Sequence, residues 1–488
     1  MRTTIKLLLI LSFIVLSACQ QAPKVQQNDS VKAISEINEI LTIITIEAIK
    51  EENYEQAQRS IQAMILNNDD KTWDFIFSAI TTLPNEMGLE LIDYSLSKDF
   101  IKNSPSQLFG FAKIFVSYQD TKQSLKVINQ AVALDAEFLD ARFWRARLLT
   151  VLKEYDKAEN DFVYVMKKQP DNTEYADQYA SFLQETKQFD KAQEILAKQE
   201  ATIDNVFRRI IFNLQAEDKI TAMQLYDHLK NIEVDEEDKN NKFYLIAEAA
   251  QLLDIYHESE DYYKKVLGGD KYLDAREMLS LILYDTKKFD ESKEILHQLQ
   301  NAEEKYAINA YRLESQINKI QGQPEEALET LTRSLEIIPN NPILLYDRAM
   351  INESLGKLDQ VEQDLLQVIK DDPNNFEALN ALGYSLADHD LKLDEAYEYI
   401  KRAINLAPNN PAIIDSLGWV LYKLGNYEEA EINFQKAIKT DIHDPELYIH
   451  LYKTLLKLDK NQEAKQLIIK AAEIFPNHTV ISELNQVN

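Results

Sequence analysis

Cysteine and glycine are scarce in this chain, whose 488 residues include one cysteine and nine glycines. A single cysteine excludes any disulfide within the chain. Because glycine normally makes up about 7% of a protein, this shortage disfavours folds built on β-hairpins and tight turns. A hydrophobic content of 45% argues against global disorder. The net charge of −28 argues against a surface that gathers phosphate groups.

The cysteine lies at position 19, directly behind a segment with the order of an export signal. Two basic residues precede a mostly apolar run, Leu7–Leu16. This run is too short to cross a bilayer core, which needs roughly 20 helical residues. The sequence Leu-Ser-Ala-Cys at 16–19 resembles the lipobox of bacterial lipoproteins. That resemblance implies a lipoprotein signal peptide over residues 1–19 and an acylated Cys19.

The residues after the cysteine predict how the mature protein is held. Residues 20–36 are polar and lack a clear apolar period, which predicts a flexible tether. In Gram-negative lipoproteins an aspartate after the acylated cysteine commonly retains the protein in the inner membrane, whereas this chain has Gln20. The resemblance therefore implies lipid anchoring in the outer membrane, facing the periplasm. Loss of Arg2 and Lys6 with the signal peptide would change the net charge from −28 to −30. We expect no cofactor apart from the covalent lipid on Cys19.

The remaining sequence repeats itself with a period of about 34 residues. Gly-Gln-Pro-Glu-Glu-Ala at 322–327 and Gly-Asn-Tyr-Glu-Glu-Ala at 425–430 are copies of one motif. Small side chains end five such copies at intervals of 34, 35, 34 and 34 residues, namely Ala327, Val361, Ala396, Ala430 and Ala464. Gly322, Gly356 and Gly425 are predicted to end the first helix of each pair. A period of this length indicates a stacked array of helical hairpins.

The period and its residue pattern resemble the tetratricopeptide repeat. One copy begins at Pro411 and carries the family residues Leu417, Gly418, Leu421, Gly425, Tyr427, Ala430, Phe434 and Ala437. In this family the two helices of a repeat cross closely at the small residues, here Gly418 and Ala430. The resemblance implies an all-α superhelical solenoid of about 13 helical hairpins, which would cover nearly all residues from about 37 to 488.

The copies differ in regularity, which predicts three sections. Residues 37–200 form an N-terminal repeat block, 201–307 a degenerate middle, and 308–488 the C-terminal block with the clearest repeats. In the middle section the small residue falls at Ala222, Ser259 and Ser292, with irregular intervals. An acidic loop is expected over 232–241. The segment around Trp73 to Ser97 fits the repeat poorly.

Motifs that carry chemistry are scarce. The seven histidines are scattered, and the sequence contains no His-Glu-x-x-His, phosphate loop, dinucleotide fingerprint or Gly-x-Ser-x-Gly elbow. His443 and His450 lie seven residues apart, but Pro445 is predicted to start the helix and to leave His443 in a loop. Both are therefore interpreted as ordinary surface histidines. We expect no catalytic residues, no metal site and no enzyme activity.

The first helices of the C-terminal repeats supply a candidate binding surface. In the resembled family, repeat positions 2, 5, 9 and 12 face the groove. These positions give a candidate partner-binding groove of Arg312, Tyr346, Met350, Asn380, Tyr384, Asp415, Trp419 and Tyr422. Aromatic side chains in a polar groove are typical anchors for a peptide or protein. The alternative is that Tyr384 and Trp419 pack between repeats.

Two stretches, 380–388 and 415–425, resemble the C-terminal part of outer-membrane lipoproteins that act as adaptors of periplasmic carboxyl-terminal-processing proteases. The resemblance implies a protein-binding scaffold that recruits such a protease and its cell-wall hydrolase substrates. The acidic charge favours a basic protein or peptide partner and disfavours nucleic acid. The membrane is expected to be contacted through the lipid alone. The alternative is an assembly factor for outer-membrane proteins or for pilus and secretin machinery, whose relatives carry about five or six repeats.

Overall fold

A computed structural model describes residues 27–439 and 444–487, and throughout these ranges the regular structure is helical, as the all-α prediction requires. Cys19, the signal segment and His443 lie outside the described residues. Among the helices that are described, none is both long and apolar enough to cross a membrane. The chain divides into two compact units, an N-terminal unit that ends at Ile232 and a C-terminal unit that begins at Glu233.

The N-terminal unit contains thirteen described α-helices. These are α1 (Gln27–Lys50), α2 (Tyr54–Asn67), α3 (Trp73–Thr82), α4 (Asn85–Leu96), α5 (Asp99–Lys102), α6 (Pro105–Ser117), α7 (Thr121–Leu134), α8 (Leu139–Val151), α9 (Tyr155–Lys168), α10 (Thr173–Glu185), α11 (Phe189–Ala197), α12 (Ile203–Gln215) and α13 (Lys219–Asn231). A short 3₁₀ turn, Asp70–Thr72, precedes α3.

The C-terminal unit contains fifteen described α-helices. These are α14 (Lys239–Leu252), α15 (Tyr256–Lys265), α16 (Tyr272–Asp285), α17 (Phe289–Leu299), α18 (Glu304–Ile320), α19 (Pro324–Ile337), α20 (Pro342–Ser354), α21 (Leu358–Asp371), α22 (Phe376–Asp388), α23 (Leu393–Leu406), α24 (Pro411–Lys423), α25 (Tyr427–Ile438), α26 (Pro445–Lys457), α27 (Asn461–Ile474) and α28 (Thr479–Val487). A 3₁₀ turn, Glu236–Asp238, precedes α14.

Consecutive helices pair as hairpins in both units. In the N-terminal unit α1 packs on α2, and each even-numbered helix from α6 to α12 packs on the next; in the C-terminal unit the same pairing runs from α14 to α27. The shorter helices α3 to α5 interrupt the pattern, in the segment that fits the repeat poorly. With α3 and α4 counted as one irregular pair, the described residues form thirteen hairpins, as the sequence predicts. Within each unit, a hairpin buries its apolar face against its neighbours, which is how a repeat array obtains a core.

The turn inside each regular hairpin contains a residue in the left-handed backbone region. Gly322, Gly356 and Gly425 have φ values of +76°, +69° and +83°, which confirms their predicted place at the end of the first helix. In other hairpins a residue other than glycine adopts the same conformation, as at Lys153 and Lys187 with φ near +60°. The turn therefore recurs even where glycine does not.

Close helix crossings explain two further small residues. A methyl group built on Gly418 would lie 2.7 Å from the ring of Phe434, and one on Gly383 would lie 2.5 Å from Ile400. Both glycines thus allow the first helix to approach the second, as predicted for Gly418. The serines that replace alanine elsewhere are also buried, and Ser259 Oγ donates to the Ala247 carbonyl at 2.8 Å. The hydroxyl fits the crossing because it finds an acceptor twelve residues earlier.

The tether prediction is wrong for residues 27–36, which belong to α1. No glycine or proline interrupts the chain between Gln27 and Lys50, so the helix continues upstream of the part that packs. Asn38 anchors it, because its buried side chain accepts a hydrogen bond from Asn67 Nδ2 at 2.7 Å. Because this contact is polar, it does not contribute to an apolar period that would indicate a helix in the sequence.

The predicted sections also differ from the observed units. The division between Ile232 and Glu233 falls inside the section predicted as degenerate, 201–307, rather than at either of its ends. It coincides with the start of the predicted acidic loop. That loop is shorter than expected, because α14 already begins at Lys239.

Candidate protein-binding groove

Three first helices of the C-terminal unit, α16, α18 and α20, line a cavity of about 440 Å³ that is open to solvent, together with residues of α17 and α19. The buried side chains of Leu299 and Leu331 form its apolar floor. Leu281 lines it as well and is 38% exposed. Met350 adds a flexible, half-buried thioether. The cavity can therefore accept an apolar side chain from a partner.

Polar side chains rim this cavity and link successive first helices. Asn309 Nδ2 donates to Glu277 Oε1 at 2.6 Å. Arg312 Nε donates to Asp347 Oδ2 at 2.5 Å, although the arginine side chain remains 44% exposed. These bonds fix the rim groups while leaving the guanidinium accessible to a further acceptor. The rim thus offers both a cation and carboxylates to a bound chain.

The structure brings together only part of the predicted groove. Arg312 and Met350 line the cavity. Tyr346 and Tyr384 are half-buried on α20 and α22, where both pack against the core of the C-terminal unit. Asn380 precedes Tyr384 by one turn on α22. Its Oδ1 atom is buried and accepts no hydrogen bond from the described residues.

Trp419 is not an exposed anchor, because its side chain is only 5% exposed. Its ring lies between Tyr422, with centroids 5.1 Å apart, and His450, with centroids 4.0 Å apart. Trp419 Nε1 donates to Asp388 Oδ1 at 3.0 Å. The packing alternative is therefore correct for this tryptophan, which stabilises the contact between successive first helices.

His450 differs from its prediction as a surface histidine, since it is only 3% exposed. Besides stacking on Trp419, its Nδ1 atom lies 3.2 Å from Asp415 Oδ1. Asp415, a predicted groove residue on α24, is thus engaged by α26, the first helix of the next hairpin. The sequence correctly predicts that Pro445 starts that helix, but it does not predict that the helix face carrying His450 is buried.

Carboxylates surround the aromatic part of the surface. Burial raises the pKa of the Tyr384 phenol, and nearby negative charges raise it further. Those charges belong to Asp388, Asp415, Glu446 and Asp444. Burial likewise raises the pKa of Tyr346, with Glu377 and Asp347 contributing. The electrostatic environment of Tyr346 and Tyr384 therefore favours a cationic group on a partner.

Several cavity residues escaped the sequence prediction, including Glu277, Leu281, Asn309 and Gln316. A signal for them existed. Counting back from Ser292 by the spacing of the regular repeats assigns Glu277 and Leu281 to positions 5 and 9. The irregular spacing of the middle section hides Glu277 and Leu281, whereas Asn309 and Gln316 occupy positions 2 and 9 of the same repeat as Arg312. Within the described ranges, no three histidine, cysteine or acidic side chains are grouped closely enough to hold a metal ion.

Comparison with known proteins agrees with this architecture. Models of the tetratricopeptide repeat match residues 109–173, 346–411 and 411–444. A TPR repeat-containing protein of Pseudomonas aeruginosa is 36% identical over 191 residues, which are 39% of this chain and 32% of that protein. Bacteriophage adsorption protein A of Escherichia coli is 30% identical over 144 residues, or 30% of this chain and 14% of that protein. The chain thus spans about a third or less of these two relatives.

Among solved structures, a tetratricopeptide repeat protein from Parabacteroides merdae aligns with a TM-score of 0.43 at 16% identity, covering 51% of this chain and 98% of that one. The repeat models match hairpins in both units. The matched segments are therefore tetratricopeptide repeats, within an all-α array of helical hairpins that is a scaffold suited to protein–protein interaction.

Proposed function

We propose that the protein is a lipid-anchored adaptor that holds a protein partner at the periplasmic face of the outer membrane. The observation that carries this proposal is the cavity of about 440 Å³ between α16, α18 and α20. An apolar floor provides affinity, and the polar rim provides orientation, which is the usual division of labour in a recognition site. Cys19 supplies the anchor.

The partner we propose presents an apolar side chain beside a basic one. The apolar side chain would occupy the cavity over Leu299 and Leu331. The basic group would lie toward the carboxylates that surround Tyr384, where it is attracted by several charges at once. The net charge of −28 adds long-range attraction for such a partner.

The partner class we propose is a carboxyl-terminal-processing protease together with its cell-wall hydrolase substrates. The support is the resemblance of 380–388 and 415–425 to the protease-adaptor lipoproteins, and these stretches correspond to α22 and α24. Isolation of the native protein after mild crosslinking, followed by mass spectrometry, tests this identity. Recovery of such a protease supports it, whereas recovery of outer-membrane insertion or pilus assembly components alone favours the assembly-factor alternative.

Substitutions in the cavity test the site itself. Leu281→Glu and Met350→Glu each place a charge where the partner's apolar side chain would lie, so we expect at least a tenfold loss of partner capture. Leu366→Glu is the matched control, because Leu366 is 37% exposed against 38% for Leu281 and lies on the second helix α21. Equal loss in all three variants, with unchanged melting temperatures, would remove the cavity from the proposal.

The anchor has its own test. Cys19→Ser removes the acyl acceptor, so we expect the protein to leave the membrane fraction and to appear in the soluble one. Mass spectrometry of the wild-type N-terminus should show a lipid-modified cysteine. An unchanged membrane fraction for Cys19→Ser would contradict lipid anchoring, and partner capture in solution would still report on the groove.

A further inference from the structure

The N-terminal unit carries a compact surface of aromatic rings and cations that the proposed function does not use. Phe109 lies 5.3 Å from Phe138 and 6.3 Å from Trp144, between ring centroids. All three side chains are partly exposed. Lys113 Nζ lies 4.9 Å from the Phe109 ring, and the Arg147 guanidinium lies 4.7 Å from the Trp144 ring. We call these five residues the cationic aromatic surface.

Its two cations occupy equivalent places in successive hairpins. Lys113 and Arg147 are 34 residues apart and lie on the first helices α6 and α8. The same repeat position carries Leu281, Gln316 and Met350 in the C-terminal unit. This repeat position therefore carries cations in the cationic aromatic surface and uncharged side chains in the groove of the C-terminal unit.

Two carboxylates that lie between these cations in the sequence have other partners. Glu137 is paired with Lys168 at 2.6 Å, and Asp140 accepts a hydrogen bond from the Tyr175 hydroxyl at 2.7 Å. Within the described ranges neither Lys113 nor Arg147 forms an ion pair with a carboxylate. The chain carries 81 acidic and 53 basic residues, yet the two cations of this surface form no ion pair in the described ranges. Their charge is available to a ligand.

We propose that the cationic aromatic surface binds an acidic peptide segment of a partner protein that carries an aromatic or large aliphatic side chain. Carboxylates of the segment pair with Lys113 and Arg147, and its apolar side chain packs on Phe109 and Trp144. The rings hold the cations in place before binding, which lowers the ordering cost of the ion pairs. This site is separate from the proposed groove and takes a partner of the opposite charge.

The test uses the full chain and the fluorescein-labelled peptide Glu-Glu-Phe-Glu-Glu-Leu, with binding followed by anisotropy at low salt. The double variant Lys113→Glu/Arg147→Glu should weaken binding at least tenfold. Lys122→Glu/Lys126→Glu is the matched control, because it makes the same change in net charge at exposed positions on the second helix α7. Circular dichroism melting curves establish that both variants are folded.

The expected result is loss of peptide binding in the first double variant and retention in the control. Absence of binding to the wild-type chain, or equal weakening in both variants, would overturn the proposal. Equally tight binding of a hexathymidine oligonucleotide at the same residues would also overturn it, because the surface would then be a general anion site. Trp144→Leu should weaken binding of the peptide a few-fold while leaving the net charge unchanged.

Discussion

At the scale of single residues, one left-handed backbone conformation recurs at the turn of successive hairpins. The free energy needed to adopt it depends on which residue occupies the turn. Gly425 adopts φ +83° without strain, whereas Lys187 adopts φ +59°. A Cβ atom in this region costs about 1 kcal/mol. We therefore expect Gly425→Ala to destabilise its hairpin by about 1 kcal/mol, and Lys187→Gly to give a smaller stabilisation, because glycine also gains freedom in the unfolded chain.

Urea unfolding of each variant, followed by circular dichroism, checks these opposite signs. A steric clash cannot explain a loss of stability in Gly425→Ala, since a methyl group there would meet no atom within 4 Å. Gly322→Ala is a second position of the same kind. If both alanine variants were as stable as the wild type, the left-handed turn would not govern the hairpin.

At the scale of helices, ion pairs connect successive hairpins in a repeated arrangement. Glu260 on α15 receives hydrogen bonds from Lys264 at 2.7 Å and from Lys288, just before α17, at 2.9 Å. Equivalent bonds join Glu362 to Lys392 and Glu431 to Lys460. Burial alone would raise the pKa of Glu260, which is 9% exposed, but the two lysines outweigh burial and lower it.

This lowered pKa predicts how the pair depends on pH. The folded-state pKa of Glu260 lies below the unfolded value of about 4.3, so its stabilisation is present above that value and is lost as the pH falls through the folded-state pKa. Glu260→Gln should cost about 1 kcal/mol at pH 7, since both lysines remain partly exposed. The difference from the wild type should shrink near pH 3.

Thermal melts at pH 7 and pH 3 measure this difference, with Glu294→Gln on α17 as an exposed control. A loss of stability that is the same at both pH values would show that the amide disturbs packing rather than charge pairing.

The sequence predicted the helical hairpins more completely than it predicted the residues of the groove. The spacing of Ala327, Ala430 and related residues is a local property, because each repeat needs a small side chain where its own helices cross. Exposure at the groove depends on the neighbouring repeat. Met350 and Trp419 occupy the same repeat position, yet His450 of the next first helix covers only the tryptophan. No property of Trp419 alone predicts that contact.

At the scale of the whole molecule, net charge is an incomplete guide to partners. A charge of −28 predicts a basic partner, and the carboxylates around Tyr384 agree with that prediction. The N-terminal unit nevertheless presents Lys113 and Arg147 without acidic partners among the described residues. A scaffold with two surfaces of opposite charge can hold two proteins at once, as recruitment of an enzyme and its substrate requires.

The central claim is that the C-terminal cavity binds a partner protein, and site-specific crosslinking in cells tests it most directly. A photo-crosslinking amino acid at position 316, where Gln316 lines the cavity, should yield a discrete crosslinked protein. The same amino acid at position 366, on the second helix α21, should yield little. No crosslinked protein from position 316, or the same products from both positions, would contradict the account.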